Sequence, residues 1–131
     1  MKKVLMVYDD RQPSQDHSRS LYYNGIIPMV TNSASDAGNL CSFGKFDLVV
    51  IDLLDEEERI KEAIQAVIAH DVKIMVITSN ANSSFEQRLL AYGADSVIVR
   101  PDKSGNFVSQ ITENSQDLAY YHSSYPGSWG A

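Results

Sequence analysis

Residues 46–54 read FDLVVIDLL and residues 4–10 read VLMVYDD. Each contains an apolar run, rich in Val, Ile or Met, that breaks off at an aspartate. An unbroken apolar run of this length, rather than an alternating one, fits a strand covered on both faces, as in a parallel sheet. Similar runs fill residues 74–77 and 97–99. A weaker one fills residues 26–30, where Pro28 has no N–H to give a ladder bond and so belongs at a sheet edge.

Helical signals separate the runs. Residues 13–24 predict the poorest helix, with only Leu21, Tyr22 and Tyr23 large and apolar, all just before Gly25. Ser33, three residues before Asp36, predicts a cap for a helix carrying Ala34, Ala37, Leu40 and Cys41 on one side. The acidic run at 56–58 puts negative charge in a first helical turn, where the macrodipole favours it, and Ile60, Ala63, Ile64, Val67 and Ile68 follow at helical spacing. Asn82, Ser83 or Ser84 caps a further helix with Phe85, Leu89 and Leu90 inward, stopped by Gly93. The last helix is expected over about 103–121, with Phe107, Val108, Ile111 and Leu118 on its apolar side.

Alternation of five strands with five helices predicts a three-layer α/β/α sandwich, because crossovers between parallel strands are right-handed. The order 2-1-3-4-5, the flavodoxin-like topology, keeps the Pro28 strand at an edge. The predicted division is a folded domain over residues 1–122 and a flexible tail over 123–131. That tail is rich in Gly and Ser and carries Tyr125 and Trp129 as candidate docking aromatics.

Composition narrows the function. The chain has 131 residues, 44% of them hydrophobic, enough for one core without disulfide or zinc support. Cys41 is the only cysteine, so no internal disulfide can form, and the cytosol is the expected compartment. No apolar run reaches the roughly 20 residues of a membrane span. A formal net charge of −6 without a Lys/Arg cluster argues against nucleic acid as a partner.

In an open parallel sheet the working site lies beyond the carboxyl ends of the strands. The first strand ends in Tyr8, Asp9 and Asp10, the third in Asp52, the fourth in Thr78 and Ser79, the fifth in Arg100 and Pro101. Carboxylates, a hydroxyl and a guanidinium converging there outline a site for a hard divalent cation and a phosphoryl group.

In that order, VLMVYDD, FDLVVIDLL, KIMVITS and YGADSVIVRP resemble the four signature segments of the bacterial response-regulator receiver domain, over about residues 1–120. The resemblance implies that Asp52 accepts a phosphoryl group from a histidine kinase or phosphotransfer protein. It further implies that Asp9 and Asp10, with Asp52 and the backbone carbonyl of Leu54, hold Mg²⁺. Thr78 then stands at the switch hydroxyl and Arg100 at the position of the family's lysine. A stand-alone receiver would signal through a downstream protein, with no membrane or nucleic-acid contact.

The departures from the family pattern are specific. Tyr8 stands where the family has its first acid. The loop after Asp52, LLDEEER, is short and lacks the usual Pro-Gly segment, which brings Asp55 or Glu56 toward the site. Arg100 prefers bidentate carboxylate geometry and cannot lose its charge, so it is expected to hold Asp52 in a standing salt bridge. Val97 replaces the usual switch aromatic. His17, in the polar run PSQDHSRS, reads as an exposed side chain rather than a phosphoryl carrier. These features keep open the alternative of a pseudo-receiver, an interaction module that is not phosphorylated.

An enzyme on a similar sheet fits less well. A haloacid-dehalogenase-type phosphatase needs an acid two residues after the nucleophile, where this chain has Leu54. Asp9 and Asp10 would repel a flavin phosphate, and the chain has neither GxGxxG nor a P-loop.

Overall fold

The computed structural model describes residues 2–9, 15–80, 82–100 and 104–115. Among them, strands and helices alternate as β1 (Lys2–Tyr8), α1 (Gln15–Tyr23), β2 (Ile26–Thr31), α2 (Ala34–Phe43), β3 (Leu48–Asp52), α3 (Glu57–Val67), β4 (Lys73–Thr78), α4 (Ser83–Tyr92), β5 (Ser96–Val99) and α5 (Ser104–Asn114). A 3-10 turn, Ile68–His70, follows α3. All pairings are parallel, in the order β2-β1-β3-β4-β5. The predicted three-layer α/β architecture is therefore the observed one.

The continuous apolar runs are buried because helices cover both faces of the central strands. Leu5, Val7, Val49, Ile51, Ile74 and Val76 pack on one face against Ala37 and Cys41 of α2, Ile60, Ala63, Ile64 and Val67 of α3, and Phe85 and Leu89 of α4. Val4, Met6, Tyr8, Leu48, Val50, Met75 and Ile77 pack on the other against Leu21 of α1 and Val108 and Ile111 of α5. Each fully buried Leu, Ile or Val contributes about 1.5–3 kcal/mol relative to exposure, so the central strands supply a large share of the driving force.

Helix starts follow local chemistry. The Ser33 hydroxyl accepts from the Asp36 N–H at 3.2 Å. The Asn82 side chain accepts from the N–H groups of Ser84 and Phe85 at 2.8 and 3.2 Å, which makes Asn82 the cap of α4. Gly93 ends α4 with φ +128°, a backbone conformation that favours glycine, while a Cβ there would lie 2.2 Å from the flexible end of the half-exposed Ile68 side chain, which would have to move aside. Gly38 lets α2 approach α3, since a Cβ on it would meet the Ala66 carbonyl oxygen at 3.0 Å.

Four expectations change. Leu90 is exposed rather than inward, and Ile68 leaves the α3 stripe because the helix tightens to a 3-10 turn there. β5 is only half-buried, as its edge position dictates. Among the described side chains of α1, residues 19–23, only Leu21 is buried, while Tyr22 and Tyr23 are exposed. In α5, Val108 and Ile111 are buried as expected, and the helix is described to Asn114. Residues 116–131, with the predicted tail, and residues 10–14, with Asp10, lie outside the described residues.

Candidate functional site

Register brings the strand ends to one rim. Tyr8 pairs with Asp52 across β1 and β3, and Thr78 with Val99 across β4 and β5, so Asp9, Asp52, Thr78 and Arg100 leave the sheet at the same edge. The Arg100 N–H donates to the Thr78 carbonyl at 2.7 Å, which extends the β4–β5 ladder by one residue and fixes where the guanidinium starts.

From there the Arg100 side chain reaches past β4 to Asp52, donating from Nη2 to Oδ1 at 2.5 Å. The predicted standing salt bridge is present. Its two members differ in exposure: the Asp52 side chain is 16% exposed and that of Arg100 is 40%. Burial raises the Asp52 carboxyl above its ordinary value; Arg100 and the backbone N–H of Leu54 pull it back, and the charges of Asp9 and Asp55 push it up again. The net direction is upward, so the ionised form of Asp52 is held at a cost. Tyr8 is buried beside this pair, and its phenol is driven far up, first by burial and then by the charge of Asp52.

Thr78 bonds to Asp55 rather than to Asp52. Its hydroxyl, 2% exposed with its residue, donates to Asp55 Oδ1 at 2.5 Å while accepting from the Asn80 N–H at 2.9 Å. Ser79 adds its backbone N–H, at 3.3 and 3.2 Å from the two Asp55 oxygens, and its own hydroxyl to Oδ2. Desolvation of Asp55 opposes its charge, but the hydrogen bonds from Ser79 and Thr78, with the field of Arg100, outweigh it and hold the carboxyl below its ordinary value. The turn that aims Asp55 at β4 is made by two consecutive non-glycine residues in the left-handed region, Leu54 at φ 57° and Asp55 at φ 61°.

Of the two acids the short loop was expected to bring in, Asp55 therefore enters the rim and Glu56 does not. Glu56 precedes α3 and accepts from Arg59 at 3.2 Å. Glu57, next along, accepts from Arg88 at 3.0–3.2 Å and from the Tyr92 hydroxyl at 2.5 Å, clasping α3 to α4. Val97 packs half-buried against the core. The part played by Ser79 was missed in the sequence; its one signal was its place directly after Thr78 at a strand end.

Among the described residues no three acidic, His or Cys side chains converge as a metal-binding group. Asp9 and Asp52 are nevertheless close enough for the charge of one to shift the other. Two carboxylates and the Leu54 carbonyl match in kind the one or two carboxylates plus waters that a hydrated Mg²⁺ takes, while Asp55 is engaged by Thr78 and Ser79. A separate cavity of about 470 Å³, lined by residues 41–46 and 70–72, lies by the segments that lead into β3 and β4, at the opposite end of the strands from these carboxylates.

No protein-family model matches the chain, and no curated protein does. Solved structures do match. A response regulator from Thermotoga maritima superposes with a TM-score of 0.72 at 18% identity, covering 89% of this chain and 99% of the other. A response regulator from Burkholderia pseudomallei, which holds a phosphorylated aspartic acid, a calcium ion and citrate, gives 0.67 at 20% identity over 95% of this chain and 72% of its own. A streptococcal redox sensor of a family evolved from two-component response regulators gives 0.74 at 14% identity, over 94% of this chain and 55% of its own. The fold is that of response-regulator receiver domains.

Proposed function

We propose that this chain is a receiver domain of a phosphorelay that accepts a phosphoryl group on Asp52 and signals through contacts with other proteins. The observation that carries the reading is the strand register: it ends β1, β3, β4 and β5 at one rim, with Asp52 held by Arg100 and flanked by the charge of Asp9. Open parallel sheets of this kind generally carry their working site beyond the carboxyl ends of the strands, which supports the reading. The Burkholderia neighbour, with its phosphorylated aspartic acid and calcium ion, supports a phosphoryl and divalent-cation chemistry for such a rim.

In the proposed reaction a carboxylate oxygen of Asp52 attacks the phosphorus of a phosphohistidine on a histidine kinase or phosphotransfer protein. The P–N bond breaks, an acyl-phosphate P–O bond forms, and the departing imidazole takes up a proton. Asp9, Asp52 and the Leu54 carbonyl would hold Mg²⁺, which when bound neutralises phosphoryl oxygens. Arg100 favours the ionised form of Asp52 against its burial, and its guanidinium would also donate to a phosphoryl oxygen. Thr78 supplies a hydroxyl donor. Asp10 completes the proposed metal set from outside the described residues. The proposed compartment is the cytosol; no helix among the described residues is long and apolar enough to cross a membrane.

A second reading, a pseudo-receiver that is never phosphorylated, is favoured by one observation: Thr78 and Ser79 already serve Asp55. Incubation with acetyl phosphate and Mg²⁺, followed by intact-mass measurement, separates the two. The acceptor reading expects one added phosphoryl group on the wild type and none on Asp52→Asn. An unmodified wild type, or equal modification of both proteins, sinks it.

A further inference from the structure

We infer that Asp55 is an internal competitor for the donors a phosphoryl group would use, locking the carboxyl end of β4 at Thr78 and Ser79 until its carboxylate is displaced. The competition part of this inference rests on the acceptor reading above; the lock does not. Three donors at one strand end, the Thr78 hydroxyl and the Ser79 hydroxyl and N–H, converge on the two oxygens of one carboxylate. A carboxylate and a phosphoryl group present the same kind of charged oxygen acceptors, so donors arranged for one are arranged for the other. The Thr78 residue is 2% exposed, so its hydroxyl has no bulk water with which to exchange this bond.

The chain reaches this contact by an unusual route. Leu54 and Asp55 both adopt left-handed backbone conformations, which costs a β-carbon-bearing residue roughly 1–2 kcal/mol each. Aspartate tolerates that conformation better than most residues, and the hydrogen bonds on its side chain hold the turn closed. Asp52 meanwhile is tied to Arg100, on the far side of β4. The rim is thus closed by two internal pairs, Asp52 with Arg100 and Asp55 with Thr78 and Ser79. An incoming phosphoryl group must replace the second. If the donors are free in a fraction of molecules of about one in ten, the apparent affinity for a phosphoryl analogue is reduced by that fraction, and removing Asp55 restores it.

The test compares wild type with Asp55→Ala and Asp55→Asn, using beryllofluoride with Mg²⁺ as the probe and following both its binding and hydrogen exchange at the Ser79 amide. Asn can still accept one bond, so it guards against a general loss of fold in the Ala variant. Both variants are expected to bind beryllofluoride about tenfold tighter than wild type, with Ala the stronger effect, and to exchange the Ser79 amide faster. A gain of affinity is not something that mere loosening of structure produces. Equal binding by all three proteins with unchanged Ser79 exchange overturns the inference and leaves the acceptor reading standing. Faster exchange without beryllofluoride binding in any protein keeps the lock but removes the acceptor reading.

Discussion

Cutting the Arg100–Asp52 pair from its two sides should give opposite results. Asp52 is mostly buried, 16% exposed, and its carboxyl is raised above its ordinary value, so its charge relies on Arg100, 2.5 Å away, with a smaller contribution from the Leu54 N–H. Arg100→Ala removes that compensation and strands the carboxylate. Removing one partner of a fully buried pair costs about 3–5 kcal/mol, and of an exposed pair about 0–1. With Arg100 itself 40% exposed, a value of about 1–2 kcal/mol is expected. For a domain of this length that is a fall in Tm of roughly 3–10 °C. Asp52→Asn removes the penalised charge and leaves Arg100 free to hydrate, so the variant should melt at or above the wild-type temperature. The sign with pH agrees: a carboxyl raised on folding contributes most when protonated, and that contribution fades as pH rises through its folded value. Thermal unfolding at neutral pH by circular dichroism measures both variants. An Asp52→Asn that melts as low as Arg100→Ala would refute the claim that burial of the Asp52 charge is unfavourable.

Three further outcomes are expected. Gly93→Ala should destabilise by about 1 kcal/mol or more, since alanine is strained at the positive φ of this position; chemical denaturation with an unchanged midpoint would contradict this. Glu57 is held below its ordinary value first by its hydrogen bonds from Arg88 and then by Tyr92, so its stabilisation is present above about pH 4.5 and is lost as pH falls through the lower folded value. The Tm advantage of wild type over Glu57→Gln should therefore shrink as pH is lowered from about 6 to about 3, and a gap that widens would contradict the assignment. Cys41 is 9% exposed and its thiol is raised by burial, so a thiol reagent should label the native protein far more slowly than the denatured one; equal rates would be inconsistent with its place against the core.

The fold was legible because three strands buried on both faces leave an unmistakable apolar run, and because a proline without an N–H marks its own strand as an edge. The Arg100–Asp52 contact was legible for a related reason: β3 and β5 flank β4, so residues ending them face each other across one strand. The course of the chain after Asp52 was not. It depends on two left-handed residues that are not glycine, and no local propensity puts Leu54 there; the hydrogen bonds Asp55 gains at β4, with the Leu54 N–H on Asp52 and the Glu56 N–H on the Leu53 carbonyl, hold it. Leu90 and Ile68 failed as inward residues because periodicity says which side of a helix is apolar, not where the helix tightens or how far its partner layer extends.

The central claim is that separate strand ends form one site around Asp52. Backbone amide shifts recorded while Mg²⁺ and then beryllofluoride are added report on it directly. The account predicts that the largest changes fall at Asp9, Asp52, Leu54, Ser79 and Arg100, and that Asp52→Asn abolishes those caused by beryllofluoride. Changes confined to the cavity around residues 41–46 and 70–72, or scattered without focus on that rim, would contradict it.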